Sequence, residues 1–207
     1  MYKKVLITIC VLLLFGCTNT NINTLSLNEI IDSSIKDTKK LTTNTNARGF
    51  KYYLPNGFNL HKDNGYIHEL HSKNDVYYLN VDIISYYYKN EIATTHELDD
   101  FEYYEFKNDD KKGYLRITKN NDNFFVELCY NYAIIEVEVE ESNLRYAVSR
   151  GMNILKSLEY NDLVIEKIIN DGESETKETV YKIPEPEKKN TKNILEYIDE
   201  DEEEDEE

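Results

Sequence analysis

The chain has 207 residues, with 40 acidic against 24 basic side chains and a formal charge of −16. So acidic a chain is unsuited to nucleic acid, whose phosphates must be neutralised by clustered Lys and Arg, and that partner class is excluded. The length suits one domain with tails, and an apolar fraction of 40% is enough to build its core.

Lys3 and Lys4 open a basic start, and Val5 to Phe15 follow as an uncharged apolar run. That run is shorter than the roughly 20 residues needed to span a bilayer. A basic start, a brief apolar segment and a small residue at the cut describe a secretory signal peptide. Here the small residue is Gly16 and the next is Cys17, whereas Cys10 follows the bulky Ile9. Leu14-Phe15-Gly16-Cys17 resembles the lipobox of bacterial lipoproteins, with Phe15 larger than the usual residue at its place. The resemblance covers residues 1–17. It implies cleavage between Gly16 and Cys17, a diacylglyceryl thioether on Cys17, and a protein held by lipid on the extracytoplasmic side of the cell membrane. Two acyl chains suffice because each buried CH₂ contributes about 0.8 kcal/mol. The alternatives are an uncleaved helix or an ordinary leader in which Cys17 is incidental. With Cys17 lipidated, Cys129 is the one thiol left and no intrachain disulfide can form.

Residues 17–25 read as a lipidated, Asn/Thr-rich tether with little to bury. Ser26-Leu27-Asn28-Glu29 fits a capping box, and Leu27, Ile30, Ile31 and Ile35 recur at helical spacing, so a helix is predicted from Ser26 to Lys40. Thr42 to Arg48 reads as linker. From Gly49 the period becomes two. Strands are predicted at Phe50–Leu54, Phe58–Leu60, Tyr66–His71, Val76–Tyr88, Phe101–Phe106, Tyr114–Lys119, Asn123–Tyr130 and Tyr132–Glu140, punctuated by Asp, Asn and Gly turns. In the last strand Ile135, Val137 and Val139 alternate with Glu136, Glu138 and Glu140, which places one face in the core and one in water.

A second helix is predicted from Ser142, with Leu144, Val148, Met152 and Leu155 along one face and Gly151 permitting close approach to the sheet. Asp162 to Ile169 is open between strand and helix. The fold class is therefore α+β: a mostly antiparallel sheet packed with an N-terminal and a C-terminal helix over 26–169, followed by a disordered acidic tail, 170–207. The element order, ending in Ile154-Leu155-Lys156-Ser157-Leu158-Glu159-Tyr160, resembles PsbP-like domains of bacterial lipoproteins. That resemblance implies a non-enzymatic binding or assembly role and carries no site residues with it.

The chemistry-bearing residues point the same way. His61, His68, His71 and His96, with Glu69 and Glu97, invite a zinc reading. Their spacing opposes it: His68-Glu69-Leu70-His71 lacks the four-residue separation of the zincin motif, and in a strand His68 and His71 face opposite ways. No nucleophile elbow, Cys-His pair or phosphate-cradling glycine loop is present, and no calcium-loop spacing. Cys129 has no basic neighbour in sequence to activate it and reads as an inert packed thiol. No catalytic, cofactor or metal residue is expected. Tyr52-Tyr53, Tyr77-Tyr78, Tyr86-Tyr87-Tyr88 and Tyr103-Tyr104 put tyrosine on both faces of their strands, so half can pack inward and half can meet a partner. The expected partners are the membrane, through the lipid on Cys17, and an envelope or protein ligand. A cell-surface enzyme and a metal-delivery lipoprotein are the competing readings.

Overall fold

The structure, a computed structural model, describes residues 21–92 and 100–171. Gly16, Cys17, His96, Glu97 and the acidic tail beyond Asp171 lie outside the described residues.

The period-two stretches form a sheet of seven strands: β3 (Phe58–Asp63), β4 (Ile67–Ser72), β5 (Asp75–Val81), β6 (Glu102–Asn108), β7 (Lys111–Asn120), β8 (Asn123–Tyr130) and β9 (Ala133–Glu140). Their spatial order is β3-β4-β5-β9-β8-β7-β6, with every neighbouring pair antiparallel. Two meanders therefore meet where β9 returns beside β5. Short turns tie the hairpins, and Lys73, Asp109, Asn121 and Asn131 open them with positive φ. Asn and Asp tolerate that left-handed conformation best. The loop Asn131-Tyr132 has both residues there, as a type I′ turn requires.

One face of this sheet is the core. Tyr77, Leu79, Val81, Leu115, Ile117, Val126, Leu128, Ile135 and Val137 are buried on it. Two helices add to this core, α1 (Leu27–Lys36) and α3 (Leu144–Lys156). The capping box at the start of α1 is complete: the Glu29 backbone N–H donates to Ser26 Oγ and the Ser26 N–H donates to Glu29 Oε2. The N-cap geometry stops the chain from fraying where Leu27, Ile30 and Ile31 enter the core. Gly151 faces the sheet from α3. A Cβ there would sit 3.0 Å from Leu128 Cδ2, so the missing side chain is what lets the helix lie against β8 and β9.

A second, three-stranded sheet closes the domain, with order β1-β2-β10: β1 (Thr45–Ala47), β2 (Phe50–Tyr52) and β10 (Glu159–Tyr160). The chain ends in α4 (Asp162–Asn170), capped by Asn161, whose side chain accepts from the Val164 N–H. Ile165 of α4 packs over Gly49, where φ is +91° and a Cβ would lie 3.0 Å from Ile165 Cγ1. The architecture is α+β, as the alternation and the two amphipathic helices predict.

Four local expectations are corrected. Val76–Tyr88 is not one strand: β5 ends at Val81, and α2 (Ile83–Tyr88) follows. The Asp82 side chain accepts from the Ser85 N–H as N-cap, and Lys89 at φ 55° closes the helix. Packing outweighs the β-propensity of Ile-Ile-Ser-Tyr-Tyr-Tyr: Ile83 is buried, and Tyr86 stacks on Tyr160 with ring centroids 3.8 Å apart. The segment 42–48 contains β1 rather than linker alone. The first helix ends at Lys36, four residues early, with the Asp37 N–H bonded to the Ser33 carbonyl. The tether is already structured by Asn21, since Ile22 and Leu25 pack against the core and the Leu25 carbonyl accepts from Arg145 Nε at 2.8 Å. Asp162–Ile169, open between strand and helix, is helical.

Candidate functional site

The opposite face of the seven-stranded sheet carries polar and aromatic side chains. The register lines them into one row across all seven strands: Lys62, Glu69, Tyr78, Glu136, Glu127, Arg116 and Tyr103. Cross-strand partners on one face stand about 5 Å apart, so each of these side chains meets the next. Lys62 Nζ lies 2.7 Å from Glu69 Oε2 at one end. At the other, Arg116 Nη2 lies 2.7 Å from Glu127 Oε2, and the Tyr114 hydroxyl donates to Glu127 Oε1. Each outer carboxylate thus has a cation of its own.

Glu136 does not. It sits between Tyr78 and Glu127, only 6% exposed. Burial disfavours its charge, the neighbouring Glu127 disfavours it further, and its carboxyl is pushed up to about 7. The middle of the row therefore gains or loses a proton near neutrality.

Beside the Lys62 end lies a cluster that strand spacing alone does not reveal. Glu69 and His71 share the outer face of β4, and His71 Nε2 is 2.6 Å from Glu69 Oε1. The pairing of β3 with β4 slips between Leu60 and Lys62, leaving His61 as the extra residue of a β-bulge. Bulges re-aim side chains, and this one turns His61 toward the same carboxylate. His61 Nε2 stands 3.9 Å from Glu69 Oε1, and the two imidazoles stack with centroids 4.3 Å apart. Ligand atoms of His61, Glu69 and His71 all lie within 4.8 Å of one another. Hydrogen bonds from Lys62 and then His71 hold the Glu69 carboxyl below its ordinary range, so it is ionised.

His68 is not part of this cluster. As alternation requires, it points the other way, fully buried, with Nδ1 2.8 Å from the Tyr52 hydroxyl. Its Nε2 lies 3.3 Å from Asp63 Oδ1, outside hydrogen-bonding alignment. Burial holds its pKa below the ordinary value. A neutral imidazole offers one donor and one acceptor, and the carboxylate can only accept. The proton therefore sits on Nε2 and Nδ1 accepts from Tyr52.

Two other features lie apart from the row and the cluster. Cys129 is buried and its thiol is pushed up to about 12, chiefly by burial, so it has no thiolate character at neutral pH. A shallow groove of about 690 Å³ runs between the small sheet and α4, past Lys51, Glu159, Asp162 and Leu163. Its ionisable groups are largely engaged with one another or with their surroundings: Glu159 binds Lys51 and Lys40, each at 2.9 Å, and Asp162 accepts from the Tyr86 hydroxyl at 2.8 Å. Among the tyrosine pairs, Tyr52 and Tyr77 pack inward while Tyr53 and Tyr78 remain partly exposed; Tyr86, Tyr87 and Tyr88 lie on a helix instead of a strand.

Compared with models of known protein families and with curated protein sequences, the chain matches none.

Proposed function

We propose that the protein is a lipoprotein anchored through Cys17 on the extracytoplasmic side of the membrane, where it acts as a non-enzymatic binding or assembly module. Anchoring rests on the ordered set Lys3-Lys4, apolar run, Gly16-Cys17. The binding role rests on one observation. The sheet turns toward solvent a face where Tyr78, Tyr103 and Phe125 remain partly exposed among carboxylates and cations. Amphipathic rings beside charged groups suit recognition of a partner that is part apolar, part polar. The likeness in element order to PsbP-like lipoprotein domains supports the same role. The reading as a metal-binding lipoprotein draws on the His61–Glu69–His71 cluster.

Replacing Cys17 with Ala is expected to abolish fatty-acid labelling and release the protein from membranes. Unchanged labelling and retention would remove the anchor from the proposal. Photo-crosslinkers at Phe125 and Tyr78 are expected to capture a discrete species that one at Tyr146, exposed on α3, does not. Equal capture from Tyr146 would remove the sheet face.

A further inference from the structure

We propose that His61, Glu69 and His71 form a binding site for one divalent transition-metal ion, with Zn²⁺ as the representative. The site goes beyond the binding role above and does not depend on lipidation at Cys17.

The donor set is the first argument. Two imidazoles and a carboxylate match borderline ions such as Zn²⁺, Ni²⁺ and Cu²⁺, and do not match Mg²⁺ or Ca²⁺, which take oxygen ligands. Three protein ligands leave coordination positions for water or for a group on another molecule.

Geometry is the second. Tetrahedral Zn²⁺, with bonds of about 2.0–2.1 Å, spaces its ligand atoms roughly 3.4 Å apart. The His71–Glu69 contact of 2.6 Å must open toward that value and the His61–Glu69 separation of 3.9 Å must close toward it. Rotation of side chains supplies both changes without moving the backbone, because the rings are 54% and 37% exposed. The same rotation takes the imidazoles out of their stack, so that both Nε2 lone pairs reach one ion. The ion then takes the place of the proton shared by His71 and Glu69.

Orientation is the third. Metal-bound carboxylates are held by outer partners that fix which oxygen faces the ion. Lys62 already holds Glu69 Oε2 at 2.7 Å, leaving Oε1 as the oxygen that both histidines face. The bulge is the fourth. A regular β3 would carry alternate residues to alternate faces, whereas the extra residue brings both His61 and Lys62 to Glu69.

The test uses the full chain, titrated calorimetrically with Zn²⁺ in excess Mg²⁺, which occupies the acidic tail. One Zn²⁺ per chain is expected. His61→Ala and His71→Ala should each weaken it by at least about tenfold, and the double variant should lose it, with thermal unfolding of the metal-free variants close to wild type. In NMR spectra, Zn²⁺ should shift the imidazole signals of His61 and His71 and leave those of His68 in place. Absence of stoichiometric binding overturns the proposal. So does Zn²⁺ binding that survives the double substitution, or a response confined to other histidines.

Discussion

His68 and His71 belong to one strand and differ only in the face they occupy. His68 lies inside, neutral, between Tyr52 and Asp63, with its ring tilted against Phe50. His71 lies outside against an ionised carboxylate and a second imidazole. The same side chain is a buried core group on one face and a metal ligand candidate on the other. What separates them is desolvation, which penalises the charged imidazole inside, whereas outside the ring stays in contact with water and with the Glu69 carboxylate. The sheet as a whole repeats the division, with apolar packing against α1 and α3 on one side and a row of charged and aromatic side chains on the other.

The largest effect expected from this division lies in β8, where neighbouring residues face opposite ways. Leu128→Ala removes a fully buried side chain beneath α3 and is expected to cost about 2–5 kcal/mol in urea unfolding. Phe125→Ala, on the partly exposed face, is expected to cost under about 1 kcal/mol. Equal costs would mean that the outer face is as much a core as the inner one.

Glu136 offers a sharper contrast, because it is a buried charge on the outer face. Its folded pKa is raised, so its contribution is fully present below the ordinary 4.5 and is lost as pH rises through about 7. Glu136→Gln should therefore stabilise the domain by about 1–3 kcal/mol at pH 8 and bring no gain at pH 4. Stabilisation independent of pH, or none at pH 8, would show that the middle of the row is not electrostatically frustrated.

The smallest of the three effects concerns His68. Its folded pKa is lowered, so the unfolded chain takes up a proton below the ordinary 6.5 that the folded chain refuses, and this part of the stability is lost as pH falls. An NMR titration of the His68 ring should give a midpoint below 6.5. Tyr52→Phe, which leaves Nδ1 without its donor, should cost about 1 kcal/mol at pH 7.5. A midpoint at or above 6.5 would show that burial does not hold His68 neutral.

Much of this architecture is legible in local pattern. Ser26 and Glu29 three residues apart announce α1 because a cap needs only neighbouring atoms. The alternation of Ile135, Val137 and Val139 with Glu136, Glu138 and Glu140 announces a two-faced strand because the pleat has period two. The opposed directions of His68 and His71 follow from the same period. The α2 segment is misread because Ile-Ile-Ser-Tyr-Tyr-Tyr favours strands in isolation; only Asp82 as a cap signals otherwise, and Tyr160, far along the chain, decides it.

The row across seven strands and the His61–Glu69–His71 cluster are different in kind. Each depends on which residue faces which across a strand pair, and a shift of one residue would turn the participants to opposite faces. By itself, then, the sequence determined the α+β class and the inward or outward sense of most strand residues, because these depend on contacts within a few residues. Register, the bulge at His61 and the isolation of Glu136 between Tyr78 and Glu127 were decided only by tertiary structure. They arise from pairings between strands, where the balance of hydrogen bonding and burial is struck over the whole sheet.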